Sequence, residues 1–157
     1  MANFGAYLVL SGEAEVVKTY IHRLVDEGFD PIMISPTGVG IESDAKITVL
    51  EPEREERGIR ADSLLLLMRS LTRHLKKGEG KAVIIYGLQV LRQNNEFRDL
   101  TNFIGRLYEE ACVNRGLVLL FSDPRELSSQ ELAFLEREAT VLENLEQLFD
   151  ASSETIK

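Results

Sequence analysis

Five short runs along the chain are apolar enough to read as strands: Tyr7–Leu10, Pro31–Ser35, Lys46–Leu50, Lys81–Tyr86 and Leu117–Ser122. The last two contain Ala-Val-Ile-Ile-Tyr and Leu-Val-Leu-Leu-Phe. They are continuous rather than alternating, the pattern of strands covered on both faces by helices. Four longer segments carry apolar side chains at helical spacing. The first, Glu13 to Glu27, puts Val16, Val17, Tyr20, Ile21 and Leu24 on one side and stops at Gly28. The second follows Asp62, a good N-cap, and carries Leu64, Leu65, Met68, Leu71 and Leu75. It ends on Lys76-Lys77-Gly78, cations at the negative end of the helix dipole. The third, Glu96 to Asn114, turns Phe97, Leu100, Ile104, Leu107, Tyr108 and Ala111 inward, with Asn95 as its cap and Gly116 as its stop. The fourth opens on the capping box Ser128-Ser129-Gln130-Glu131 and runs to Phe149.

The order is strand, helix, two strands, helix, strand, helix, strand, helix. It predicts an α/β three-layer sandwich with a mainly parallel five-stranded sheet. The link Pro36–Ala45 is short for a parallel crossover. The third strand is therefore expected either to run antiparallel or to pair elsewhere. Glu51–Arg60 reads as a charged, solvated loop. Residues 1–149 are expected to form a single domain and residues 150–157 a polar, frayed tail.

Composition narrows the chemistry. The chain has 157 residues, 26 acids against 18 bases, a net charge of −8, one cysteine and two histidines. A single cysteine excludes an internal disulfide framework and a cysteine-based zinc cluster. His22 and His74 leave little for a metal site, and His74 near a helix end already gains from the dipole. Cys112, inside a helix, reads as a buried structural thiol. The acidic balance argues against a nucleic-acid partner, which needs a basic face. The longest apolar run, Leu64–Met68, is far short of a membrane span, and Met1–Leu10 lacks the pattern of a signal peptide. The location expected is therefore cytoplasmic, with no membrane partner.

Ligands of open α/β sheets gather beyond the C-terminal ends of the strands. The first such place here holds Gly12, four residues, then Val17, Lys18 and Thr19. This matches the phosphate loop G-x-x-x-x-G-K-[ST] everywhere except the second glycine. That loop turns its backbone N–H groups toward phosphate, and glycine gives the chain room to do so. Val17 is β-branched and stiff, and Glu13 and Glu15 bring negative charge toward an anion. The second part of nucleotide hydrolysis is an acid at the end of a central strand, where it would hold Mg²⁺. Tyr86 stands there instead. Thr37-Gly38-Val39-Gly40-Ile41 has no lysine and reads as a flexible loop. Asp123-Pro124-Arg125-Glu126 follows the fifth strand; Asp123 and Arg125 could contact a ligand there, although Asp-Pro reads first as a turn. The plain reading makes Lys18 and Thr19 mid-helix residues and the motif match residual or accidental; on the alternative reading, a nucleotide- or anion-binding site would be built from Gly12, Lys18, Thr19, Asp123 and Arg125.

Gly80-Lys-Ala-Val-Ile-Ile-Tyr-Gly-Leu-Gln-Val-Leu, then Asn94-Asn95-Glu96-Phe97 and its helix, resembles the archaeal domain of unknown function number 835. So does Gly116-Leu-Val-Leu-Leu-Phe-Ser-Asp-Pro, followed by Ser128, Gln130-Glu131-Leu132 and Leu135-Glu136-Arg137-Glu138. The resemblance covers the second half closely and the first half through Tyr7-Leu8-Val9 and Gly28. In that family the strand before Gly87 often ends in Asp, where this chain has Tyr86. The family is itself similar to reduced KaiC and RecA-like ATPases, and its members occur alone or beside sensor and kinase modules. The resemblance implies a RecA-like outline without a working phosphate loop, and a regulatory or scaffolding role.

Phe134, Val141 and Leu148 repeat every seven residues, as do Leu135, Leu142 and Phe149, with Leu132, Ala139 and Leu145 widening the stripe. So broad a face exceeds what one sheet needs. The plain reading is packing on the domain's own sheet; the sharper one makes Phe134, Leu135, Val141, Leu142, Leu145, Leu148 and Phe149 the contact with a protein partner or with a second copy in a homodimer. The function expected is a non-catalytic interaction or regulatory module without cofactor or metal. The alternative is a nucleotide- or small-anion-binding domain with weak or no ATPase activity.

Overall fold

The structure, a computed structural model, describes residues 4–36, 46–51, 58–60, 63–86 and 88–149. The five short apolar runs become strands β1 (Gly5–Val9), β2 (Asp30–Pro36), β3 (Lys46–Glu51), β5 (Lys81–Ile85) and β6 (Leu117–Phe121). Two three-residue strands, β4 (Gly58–Arg60) and β7 (Thr140–Leu142), extend the sheet to seven in the order β4-β3-β2-β5-β6-β1-β7. All six pairings are parallel. The third strand is thus parallel to β2, in register from Ile32 opposite Lys46, and resolves the doubt raised by its short link. The stretch expected as a charged loop ends in β4, paired with β3.

The helices are α1 (Ala14–Asp26), α2 (Leu64–Leu75), α3 (Leu88–Asn94), α4 (Phe97–Asn114) and α5 (Ser129–Glu138). Each central strand sends alternate side chains to opposite layers. Leu8, Val83, Ile85, Val118 and Leu120 meet Leu67, Leu71 and Leu75 of α2 and Leu100, Ile104 and Leu107 of α4. Val9, Met33, Ile84, Leu119 and Phe121 meet Val17, Tyr20, Ile21 and Leu24 of α1. The strands are buried on both faces because helices cover both faces, which is the three-layer α/β sandwich that their continuous apolar runs predict. Tyr20 meets Phe121 edge-on, ring centres 5.3 Å apart.

The end of the chain departs from the expected long helix. The capping box at Ser128 forms as predicted: its hydroxyl accepts from the Glu131 amide, and Glu131 accepts from the Ser128 amide. But α5 stops at Glu138, because Ala139 is extended (φ −138°, ψ 147°). Thr140–Leu142 then pairs with β1 as β7. A second capping box, Asn144 with Gln147, opens a 3-10 turn over Leu145–Leu148. The heptad stripe is therefore split by the sheet. Leu135 is buried and Val141 partly buried on the α2–α4 side. Leu142 and Leu148 are buried on the α1 side, with Leu145 and Phe149 partly buried beside them. They do not form one exposed contact face. Only Phe134 of the seven stays notably exposed, at 36%, edge-on to Phe97.

Smaller expectations change too. Asn95 does not cap α4, whose N-cap is Glu96; it donates instead to the Leu91 carbonyl of α3. Cys112 is exposed, because it falls beside buried Ala111 on the outer side of α4. Asp62, Thr37–Ile41 and the tail after Phe149 lie outside the described residues.

Candidate functional site

The C-terminal ends of β1, β5 and β6 meet at one place, and they bring together Gly12 of the phosphate-loop-like stretch and Tyr86. Gly12 follows β1, Tyr86 follows β5, and Asp123 follows β6. The Tyr86 hydroxyl donates to the Gly12 carbonyl at 2.9 Å. Burial and the nearby Glu126 carboxylate push this phenol above its ordinary pKa, so it stays protonated and able to donate. Gly12 sits close to the next strand end: a Cβ at this position would stand 3.2 Å from Cβ of Asp123, a tight contact. What remains between Gly12, Tyr86, Gln89, Ser122 and Asp123 is a cavity of about 80 Å³. Small-molecule sites run to roughly 300–1,000 Å³.

The other predicted ligand residues are not brought to this cavity. α1 begins at Ala14, so the stretch that should wrap a phosphate is already helical. The Val16 and Val17 amides both donate to the Glu13 carbonyl, at 3.1 and 3.3 Å, and are not open to an anion. The Val17 side chain is fully buried in the core under α1. Lys18 lies beyond the first turn and pairs with Glu15 at 3.4 Å. The Thr19 hydroxyl donates to the Glu15 carbonyl at 3.0 Å, an intrahelical bond. Of the five candidate residues, then, Gly12 and Asp123 come together, Arg125 joins them through Asp123, and Lys18 and Thr19 stay apart on α1.

Asp123-Pro124 is the turn its sequence announces. Asp123 caps the 3-10 turn Pro124–Glu126 by accepting from the Arg125 amide at 2.9 Å. The Arg125 guanidinium closes on both carboxylate oxygens, at 2.6 to 3.2 Å. That pairing holds the Asp123 carboxyl down at about 2. Asp123 is thus a permanent anion already matched by its own cation.

Among the described residues no cluster of three or more His, Cys, Asp or Glu could hold a metal ion. No described helix is long and apolar enough to cross a membrane. A concavity that the motifs do not point to lies elsewhere, between α2 and α4. Its apolar floor is Leu65 and Met68, and its volume is about 560 Å³. The available signal was charge rather than motif: residues 63–78 contain four cations besides His74 and no acid.

No curated protein matches the chain. The family model described as protein of unknown function (DUF835) matches residues 10–139. With most of its length covered by that match, the chain belongs to the DUF835 family.

Proposed function

We propose that this chain is a non-catalytic, cytoplasmic interaction or regulatory module, a degenerate RecA-like domain that works by binding a protein partner or a second copy of itself. The observation that carries the reading is the bond from Tyr86 to Gly12. It ties the strand end that should carry a metal-binding acid to the loop that should carry phosphate. The unbroken start of α1, which keeps Lys18 in an ion pair with Glu15, points the same way. The strand order supports the ancestry: β6 separates β1, which leads into the worn loop, from β5, which ends at Tyr86.

A thermal-shift titration with ATP and Mg²⁺ tests the reading. A ligand present at 100 times its Kd stabilises a protein by about 2.7 kcal/mol. The interaction module keeps its melting temperature at millimolar nucleotide. A saturable rise would favour the alternative, a nucleotide- or anion-binding domain.

A further inference from the structure

We infer that the groove between α2 and α4 docks an acidic, amphipathic helix of a partner protein. The inference rests on the reading of the chain as an interaction module and names the chemistry of its partner. Leu65 is 64% exposed and Leu66 40% exposed at the start of α2, although both sit in the most apolar run of the chain. Beside Leu65, the edge of Met68 opens into the groove, which gives an apolar floor with one flexible side chain.

The rim is cationic. Arg69, Arg73, Lys76 and Lys77 follow one another along one side of α2 and its C-terminal turn, and Arg106 faces them from α4. None of these five makes an ion pair among the described residues. Arg23, Arg92, Arg115 and Arg125, by contrast, are each matched to a carboxylate. The helix dipole accounts for cations in the last turn of α2, but not for Arg69 or for Arg106 on a different helix. The chain has eight more acids than bases, yet among the described residues no carboxylate pairs with this row around the apolar slot. The complement is a segment with apolar anchors at helical spacing and Asp or Glu on its flanks. Asp99, which lines the adjoining end of the groove, sets polarity: the acidic flank lies toward Lys76 and Lys77.

Nucleic acid fits less well, since Phe103, the ring at the adjoining end of the groove, is buried and offers no open face for a base to stack on. A lipid surface suits a projecting apolar face rather than a concave slot.

The test pans a random helical-peptide library against the full chain and measures the recovered peptides by fluorescence anisotropy. Recovered sequences should combine Leu, Ile, Phe or Met with several Asp or Glu. Their affinity should fall with added salt and drop by roughly tenfold or more in the double variant Arg73→Glu, Lys76→Glu. Circular dichroism verifies that the variant is folded, and Leu65→Asp, at an exposed position, offers a second disruption of the slot. Basic or uncharged recovered sequences, no recovered sequences, or affinity unmoved by both variants would overturn the proposal. Tighter binding of a single-stranded DNA oligomer or of phosphatidylglycerol vesicles would overturn it in favour of those ligands. None of these outcomes touches Gly12 or Tyr86, so a failed groove and a failed interaction-module reading give different results: only the latter shows in the ATP titration.

Discussion

Tyr86 puts a neutral hydrogen-bond donor at the end of β5. An Asp at this position would point a second carboxylate at the region of Asp123, whereas the phenol reaches across and donates to the Gly12 carbonyl. Tyr86→Phe removes that bond and should cost about 1 kcal/mol, the usual net worth of a hydrogen bond, as read by urea unfolding. Tyr86→Asp should cost at least as much and should not produce Mg²⁺-dependent ATP binding, because Lys18 remains held within α1. Gain of ATP binding by this single change would show that α1 is not the obstacle. His74 gives a separate reading at this scale. Its ring is 3% exposed and its Nε2–H donates to the Asp30 carbonyl at 2.8 Å. Burial holds its pKa below the ordinary value, against the opposing pull of Asp30. The unfolded chain therefore takes up this proton at a higher pH than the folded one. The stability that His74 contributes is complete above about pH 6.5 and is lost as pH falls through the window between the unfolded and folded values. The urea midpoint should be lower at about pH 5.5 than at 7.5, and His74→Gln, which keeps a donor for Asp30, should flatten that difference. An equal fall in the variant would assign the effect to other groups. Asp123, Glu131 and Glu146, all held low by arginines or capping bonds, act only at more acid pH.

At the scale of elements, periodicity reads well where one helix packs on one sheet. The buried side chains of α1 are four of the five it pointed to. It reads poorly where apolar residues recur at a spacing that several structures share. Phe134, Val141 and Leu148 are seven apart, which suits a long helix, but the same spacing is met by a helix, a strand and a 3-10 turn in succession. The local signals for the break are Thr140-Val141, two β-branched residues together, and Asn144 with Gln147, the signature of a fresh helix start. α3 was missed because its seven residues are too few to show a period. Gly116 stands at the helix stop, where its amide donates to the Ala111 carbonyl at 2.8 Å, and it serves a second purpose as well. The left-handed residue that ends α4 is Arg115, at φ 58°. A Cβ on Gly116 would lie 2.8 Å from the Lys81 carbonyl, whose strand is fixed in the sheet, and 2.9 Å from Leu75. Gly116→Ala should destabilise by roughly 1–3 kcal/mol through overpacking. Arg115→Gly, which relieves a left-handed L-residue, should not destabilise comparably. Equilibrium unfolding distinguishes the two, and equal losses would contradict this division of roles.

At the scale of the whole molecule, the charge of −8 is unevenly spread. Residues 126–157 hold eight acids and two bases, while residues 63–78 hold cations and no acid. Two arginines tie the acidic end to the rest. Arg23 of α1 pairs with Glu146 at 2.7 Å and lies over the Phe149 ring, 4.6 Å from its centre. Arg92 of α3 pairs with Glu131. The parallel sheet and its two helical layers were legible because the central strands β5 and β6 are continuous apolar runs. The closed site was legible only as two absences, a missing glycine and a missing acid. That the absences sit together, joined by Tyr86, is a property of strand order, and local pattern does not carry strand order. A ¹H–¹⁵N NMR titration with ATP and Mg²⁺ tests directly whether this strand edge admits a nucleotide. It follows the amides of Gly12, Val17, Lys18 and Asp123. These amides should not move at millimolar nucleotide. Saturable shifts confined to those four residues would contradict it.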